Sequence, residues 1–214
     1  MKTPAETEEV SMRGHAVGYH HEVRGASDRA ALGFVRFAAW FADAFFQKRY
    51  GHRAVVLETV AAVPGMVGGM MQHFKALRSL RDDHGWIRTL LNEAENERMH
   101  LMVFVHIARP TIIERFIILS AQVVFGISYF FIYLFSSRTA HRLVGYLEEE
   151  AIHSYSGYLE EVEQNKQENI GAPELAIRYW SLSEDARLSE VIVATREDEM
   201  RHRDVNHGFA DKLR

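Results

Sequence analysis

Residues 90–101 read LLNEAENERMHL and residues 196–207 read REDEMRHRDVNH. Each stretch contains Glu-x-x-His: Glu97 with His100, and Glu199 with His202. On an α-helix, residues three apart lie one turn apart on the same face, so each pair aims a carboxylate and an imidazole at one point. The spacing occurs a third time at Glu150 and His153. A single pair of this kind is as easily a solvated helix face. The order of the acids along the chain is more telling. Upstream, AVVLETVAAVPGMVGGMM at 54–71 holds one acid, Glu58, among apolar neighbours. An unpaired carboxylate there is costly, whereas a metal ligand is compensated; the bland alternative is an ion pair with Arg53. Between the two decisive stretches, LEEEAIHSY at 147–155 offers Glu148, Glu149 and Glu150. Helical periodicity favours Glu148, which shares a stripe with His141, Val144, Ala151 and Tyr155.

The chain therefore presents Glu, Glu-x-x-His, Glu, Glu-x-x-His on four successive helical stretches. That is the ligand inventory of ferritin-like di-iron bundles, which also carry a long crossover. The predicted fold class is all-α: a ferritin-like four-helix bundle with a di-iron site plus additional membrane-associated helices. The 214 residues include no cysteine, which excludes disulfides, thiolate metal sites, iron–sulfur clusters and a cysteine nucleophile. Six nitrogen and oxygen ligands suit iron or manganese. A net charge of −4 argues against nucleic acid as a partner.

Residues 1–27 read as a polar N-terminal arm, without the apolar core of a signal peptide, and 28–214 as the di-iron helical-bundle domain. A helix is expected after Ser27–Asp28. Its charges at Arg29, Arg36 and Asp43 leave a broad apolar face, as in a buried or interfacial helix. Pro64 is a potential kink, and Gly65, Gly68 and Gly69 permit close helix approach. Residues 84–108 and 141–165 read as charged helices. Thr111-x-x-Glu114 is a capping-box pattern opening the next helix. Residues 164–173 read as a loop, and a last helix is expected after Ser183. From Phe116 to Phe135 no residue is charged, which is long enough to span a bilayer.

The motifs LETVAAVPGMVGGM, NERMHL, LEEEAIHSY and DExxHRDVNH together resemble those of the alternative oxidases, membrane-bound, cyanide-insensitive di-iron quinol oxidases, over roughly residues 28–210. The resemblance implies two non-haem iron ions, without haem or flavin, held by Glu58, Glu97, His100, Glu148, Glu199 and His202. It implies that Tyr155 sits beside the centre and takes part in electron transfer or radical chemistry. Asn96, His141, Asp198 and Trp180 match positions in the surrounding network. Arg53, Leu57, Ala151 and Ser154 match the quinol pocket. One departure stands out: the family commonly has EAHH where this chain reads EMRH at 199–202. The regulatory cysteine of plant members is also absent.

The implied reaction is oxidation of ubiquinol coupled to four-electron reduction of O2 to water, without proton pumping. Rival readings are a di-iron quinone-ring hydroxylase and, in a different class, a ferritin-like iron-binding protein. Spanning by 116–135 would carry the charged ligand helices across or into hydrocarbon, so a helix lying in one leaflet beside residues 29–47 is expected, with Lys48, Arg49, Arg115 and Arg138 near anionic headgroups. The family resemblance adds a homodimer. The expected location is the cytoplasmic face of a bacterial inner membrane, with the matrix face of the mitochondrial inner membrane as the alternative.

Overall fold

The computed structural model describes residues 17–46 and 49–213. Lys48 and most of the expected N-terminal arm lie outside them. Among the described residues seven helices follow in order: α1 (Ala26–Phe46), α2 (Tyr50–Ser79), α3 (Trp86–Ala108), α4 (Ile112–Phe135), α5 (Ser137–Glu163), α6 (Glu174–Trp180) and α7 (Leu188–Lys212). Among the described residues the only β pairing is an isolated bridge between Gly171 and Arg187. The all-α prediction holds.

Helices α2, α3, α5 and α7 form the bundle, with α2 against α3 and α5 against α7. Helix α4 connects the two halves and packs on α2. The close α2–α3 approach depends on glycine. A Cβ on Gly65 would lie 2.4 Å from the Leu90 carbonyl oxygen, well inside contact distance. Helix α2 continues through Pro64 to Ser79 as one element. Apolar side chains from α2, α3, α4, α5 and α7, including Val55, Phe104, Ile118, Tyr155 and Ile192, make one core cluster. A second joins α1, α4 and α5 through Val35, Phe125, Tyr129 and Leu143.

The ends of the helices follow local chemistry. Thr111 Oγ1 accepts from Glu114 N at 3.3 Å, while Thr111 N donates to Glu114 Oε2 at 2.8 Å, the reciprocal cap expected from the sequence. The last helix begins at Leu188, five residues beyond Ser183. The intervening chain is pinned instead to the preceding loop: Ala172 N donates to Ala186 O at 2.8 Å and Leu188 N to Ile170 O at 2.9 Å. The short α6 lies within the stretch between loop and last helix, where no helix was expected. It packs on α3 and buries Ala176 against Val103 and Val191.

Two helices, α2 and α4, are long and apolar enough to cross a membrane by length and composition. They differ in burial. Helix α2 carries the buried Glu58 and Gln72 and is a bundle helix. Helix α4 buries only a narrow stripe and exposes Phe116, Leu119, Val123, Val124, Ile127 and Phe135. Helix α1 likewise exposes Phe37, Trp40 and Phe41. The two helices meet where Phe34 and Phe125 lie 6.4 Å apart, so the exposed apolar faces adjoin. The expected headgroup cations fare differently. Arg115 is exposed. Arg49 is half exposed and pairs with Glu114 at 3.2 Å. Arg138 is a correction: it pairs with the fully buried Asp28 at 3.1 Å and ties α5 to the start of α1.

Candidate metal centre

The four bundle helices bring all six predicted ligands to one buried point. Glu58 comes from α2, Glu97 and His100 from α3, Glu148 from α5, and Glu199 and His202 from α7. Five of them are almost completely shielded from solvent, and His202 retains 9% exposure. Their ligand atoms form two sets. Glu58, Glu97, His100 and Glu199 converge in one, and Glu97, Glu148, Glu199 and His202 in the other; within each set the atoms lie within 4.8 Å of one another. Glu97 and Glu199 belong to both. Two metal ions, one in each set, would be held with Glu97 and Glu199 in common.

The donor atoms are oriented for it. His100 Nδ1 faces inward, 3.2 Å from both Glu58 Oε2 and Glu199 Oε1. Its Nε2 faces outward and donates to Asp198 Oδ2 at 3.0 Å, which fixes the tautomer that leaves Nδ1 free to ligate. His202 Nδ1 lies 2.5 Å from Glu97 Oε1 and 3.6 Å from Glu199 Oε2. Despite these short approaches, both carboxylate oxygens of Glu97, both of Glu199, and His202 Nδ1 have no hydrogen-bond partner. Buried polar atoms are nearly always satisfied, so five orphans around one point fit a site that could hold cations.

The electrostatics agree. Burial, then the neighbouring Glu199 and Glu97, push the Glu58 and Glu148 carboxyls well above the usual range. Burial also pushes Glu97 upward, but His202 and His100 outweigh it and hold that carboxyl well below the usual range. Burial favours a neutral His100, yet Glu58 and Glu97 outweigh it and raise its pKa. His202 is raised to about 10, burial again being overcome by Glu97 and Glu199. Four clustered carboxylates thus gather protons onto their neighbours. Two divalent cations would balance the same four charges and leave both imidazoles neutral for ligation.

The surrounding residues hold the ligands in place. Asp198 Oδ2 accepts from His100 Nε2, from Trp180 Nε1 at 2.8 Å and from Asn96 Nδ2 at 3.0 Å. The Trp180 ring stacks on His100 at 5.6 Å. Arg201, the residue at the family's altered position, pairs with Asp198 Oδ1. Tyr155 is buried, and its hydroxyl donates to Glu58 Oε1. Burial, then Glu58 and Glu199, raise the Tyr155 pKa and keep it a neutral phenol. His141 does not touch a ligand. Its Nε2 accepts from the Tyr133 hydroxyl at 3.1 Å and its Nδ1 donates to Asn206 Oδ1 at 3.0 Å. Burial lowers its pKa to about 4. Asn206 then donates to Glu93 Oε1 at 2.8 Å.

Glu93 and Asn206 are site residues that the sequence reading missed. Glu93 is buried beside the centre, and burial raises its pKa to about 7. It precedes Glu97 by four residues, and Asn206 follows His202 by four, so helical spacing was the available signal. Glu149 faces away from the ligands. It accepts from His207 Nε2 at 2.9 Å and from the backbone N–H of His21 at 2.9 Å, which fastens the segment before α1 onto α5.

Glu150 and His153 make no part of the metal centre. They line a cavity of about 390 Å3 with Arg53, Ser154, Trp40 and Tyr50. Arg53 is buried and bonds Glu150 Oε1 at 3.0 Å and Asp43; it does not pair with Glu58. Its Nε has no partner. Of the four residues expected in a quinol pocket, Arg53 and Ser154 line this cavity. Ala151 packs in the core against Val55 and Tyr155, and Leu57 is half-buried outside the cavity wall.

Comparison with known proteins agrees with this geometry. The family model described as Alternative oxidase matches residues 7–211. The chain is 50% identical over 211 residues to "Ubiquinol oxidase, mitochondrial" of Batrachochytrium dendrobatidis, covering 99% of this chain and 67% of the relative. It is 52% identical over 192 residues to "Ubiquinol oxidase 1c, mitochondrial" of Arabidopsis thaliana and to "Ubiquinol oxidase 2, mitochondrial" of Glycine max, covering 90% of this chain and 58% of each relative. The chain thus spans between 58% and 67% of the length of these three relatives. Their names place them in mitochondria, which matches the alternative location read from the sequence and gives the bacterial one no support. With six candidate ligands in two overlapping sets and a family match over residues 7–211, the chain belongs to the alternative oxidase family.

Proposed function

We propose that the protein is a ubiquinol oxidase that couples quinol oxidation to the four-electron reduction of O2 to water at two iron ions. The observation that carries the reading is the pair of donor sets sharing Glu97 and Glu199. When bound, the two iron ions supply the redox centre that passes electrons from quinol to O2. Two quinols provide the four electrons that one O2 requires, and the four protons they release equal in number the four that water formation takes up.

The chain's own residues account for binding and orientation. Arg53 and Ser154 line the 390 Å3 cavity, a guanidinium and a hydroxyl whose donors suit quinol oxygens. Trp40, 64% exposed on the apolar face of α1, is part of the same wall, so a quinol can enter from lipid. Tyr155 follows Ser154 in the chain, and its hydroxyl on Glu58 links the cavity wall to the centre. Asp198 holds His100, and burial of the ligands excludes water.

The adjoining apolar faces of α1 and α4 support attachment to one leaflet. A crossing α4 would pull its bundle neighbour α2, with the buried centre, into hydrocarbon. Such a one-sided protein carries no protons across the membrane. A second exposed stripe on α2, made of Met66, Met70, Phe74 and Leu77, supports a homodimer. The relatives' names favour a mitochondrial location. Oxygen uptake by iron-loaded protein supplied with a reduced short-chain ubiquinol tests the reading. Failure to take up oxygen, or a hydroxylated quinone as product, would overturn it, the latter in favour of a ring hydroxylase.

A further inference from the structure

We propose that His153 is the base that accepts the proton of the quinol hydroxyl, and that the groove beside it is where the proton leaves. This inference rests on the quinol oxidase reading. His153 belongs to the third Glu-x-x-His pair, which the metal centre leaves unused. Its exposed side chain lines two adjoining spaces at once. One is the 390 Å3 cavity beside Arg53, Ser154 and the lipid-facing Trp40. The other is a groove of about 370 Å3 between residues 17–20, α1 and α5. Arg36, Glu150 and His153 are common to both. The lining of the groove includes the polar side chains of His20, Glu149 and Ser156.

Quinol oxidation breaks two O–H bonds. With iron bound, the centre would take the two electrons for O2, so the two protons need a base in the wall. The other groups in the cavity are poorly placed to be that base. Asp43 and Glu150 are both held by the Arg53 guanidinium. Arg36 and Arg53 are cations. Tyr50 is a phenol stacked on Tyr158 at 5.4 Å. An imidazole is the side chain whose kind takes up and releases a proton near neutral pH. Charged and titratable groups from four parts of the fold line the spaces that His153 faces. Helix α1 presents Arg36 and Asp43, and α2 presents Tyr50 and Arg53. Helix α5 adds Tyr146, Glu149 and Glu150, and the segment before α1 adds Tyr19 and His20. In each half-turnover an imidazole nitrogen of His153 takes one quinol proton and hands it to solvent in the groove, then repeats the step for the second.

The test is His153→Asn in iron-loaded protein, assayed with reduced short-chain ubiquinol between pH 5.5 and 8.5. In the unaltered protein, kcat/KM should rise with pH through the imidazole range and level off. The variant should lose that limb, turn over at least about tenfold more slowly at pH 7, and recover when free imidazole is added. Its iron content, melting temperature and affinity for the oxidised quinone should be unchanged, which separates proton transfer from a structural role. A variant that keeps the limb and the turnover, or whose deficit added imidazole leaves in place, overturns the inference. If the unaltered protein oxidises no quinol at all, the parent reading falls and this one with it.

Discussion

Replacing Glu97 distinguishes a bridged pair of ions from two independent ones. Its two carboxylate oxygens face different imidazoles: Oε1 lies 2.5 Å from His202 Nδ1, and Oε2 lies 3.5 Å from His100 Nδ1. One oxygen therefore serves each donor set, and Glu97→Ala removes a ligand from both. Glu148 belongs to one set alone, so Glu148→Ala leaves Glu58, Glu97, His100 and Glu199 complete. Outer-shell changes at metal sites cost about 10–100-fold in affinity. Loss of a ligand should then cost each affected ion roughly 100-fold or more, about 2.7 kcal/mol. Iron per chain, measured by mass spectrometry after gel filtration, should fall from two to about one in Glu148→Ala and to near zero in Glu97→Ala. Glu149→Ala should keep both, because that side chain bonds His207 and His21 instead. Equal iron content in the Glu97 and Glu148 variants would refute the shared-ligand assignment, and iron loss in Glu149→Ala would refute the choice of Glu148.

Other consequences are as direct. The folded pKa of His202, about 10, lies above its ordinary value of 6.5, so the folded metal-free chain holds an extra proton between those values. Its contribution to stability is fully present below pH 6.5 and is lost as pH rises through about 10. Melting temperatures of the metal-free protein should fall across that window, while those of the iron-loaded protein, whose imidazole is held by metal, should not. Loading the metal-free protein with ferrous ion at pH 7 should release protons from the two imidazoles and from the raised Glu58 and Glu148 carboxyls, read with a pH indicator in weak buffer. Gly65→Ala places a Cβ 2.4 Å from the Leu90 carbonyl oxygen and should cost about 1–3 kcal/mol, measured by denaturant unfolding in detergent. Substituting Phe37, Trp40 and Phe41 by serine removes the exposed apolar face of α1 and should weaken sedimentation with lipid vesicles at least tenfold while leaving iron content intact.

The bundle and the centre were legible because their signals are local. Two Glu-x-x-His pairs, a lone acid in an apolar helix and a helical stripe through Glu148 each fix a face, and four such faces can only meet inside. Glu93 was harder. It stands with Glu95 and Glu97 in one charged run, and only packing shows that Glu93 is buried while Glu95 is exposed. Arg138 looked like a surface cation because its partner, Asp28, lies 110 residues earlier. Ion pairs across that separation leave no trace in spacing. Helix α6 is too short for a periodic pattern and is held by packing on α3. In the cavity, the resemblance supplied Arg53 and Ser154, but the unused pair Glu150/His153 became meaningful only once α1 and α2 closed around it.

The most direct measurement is the ratio of quinol oxidised to O2 consumed by the purified, iron-loaded protein, followed by absorbance and an oxygen electrode in one vessel. A four-electron reduction to water predicts two quinols per O2, with no peroxide formed and no change when cyanide is added. One quinol per O2 with peroxide as product, or oxygen consumption that leaves oxygen in the quinone ring, would contradict the account.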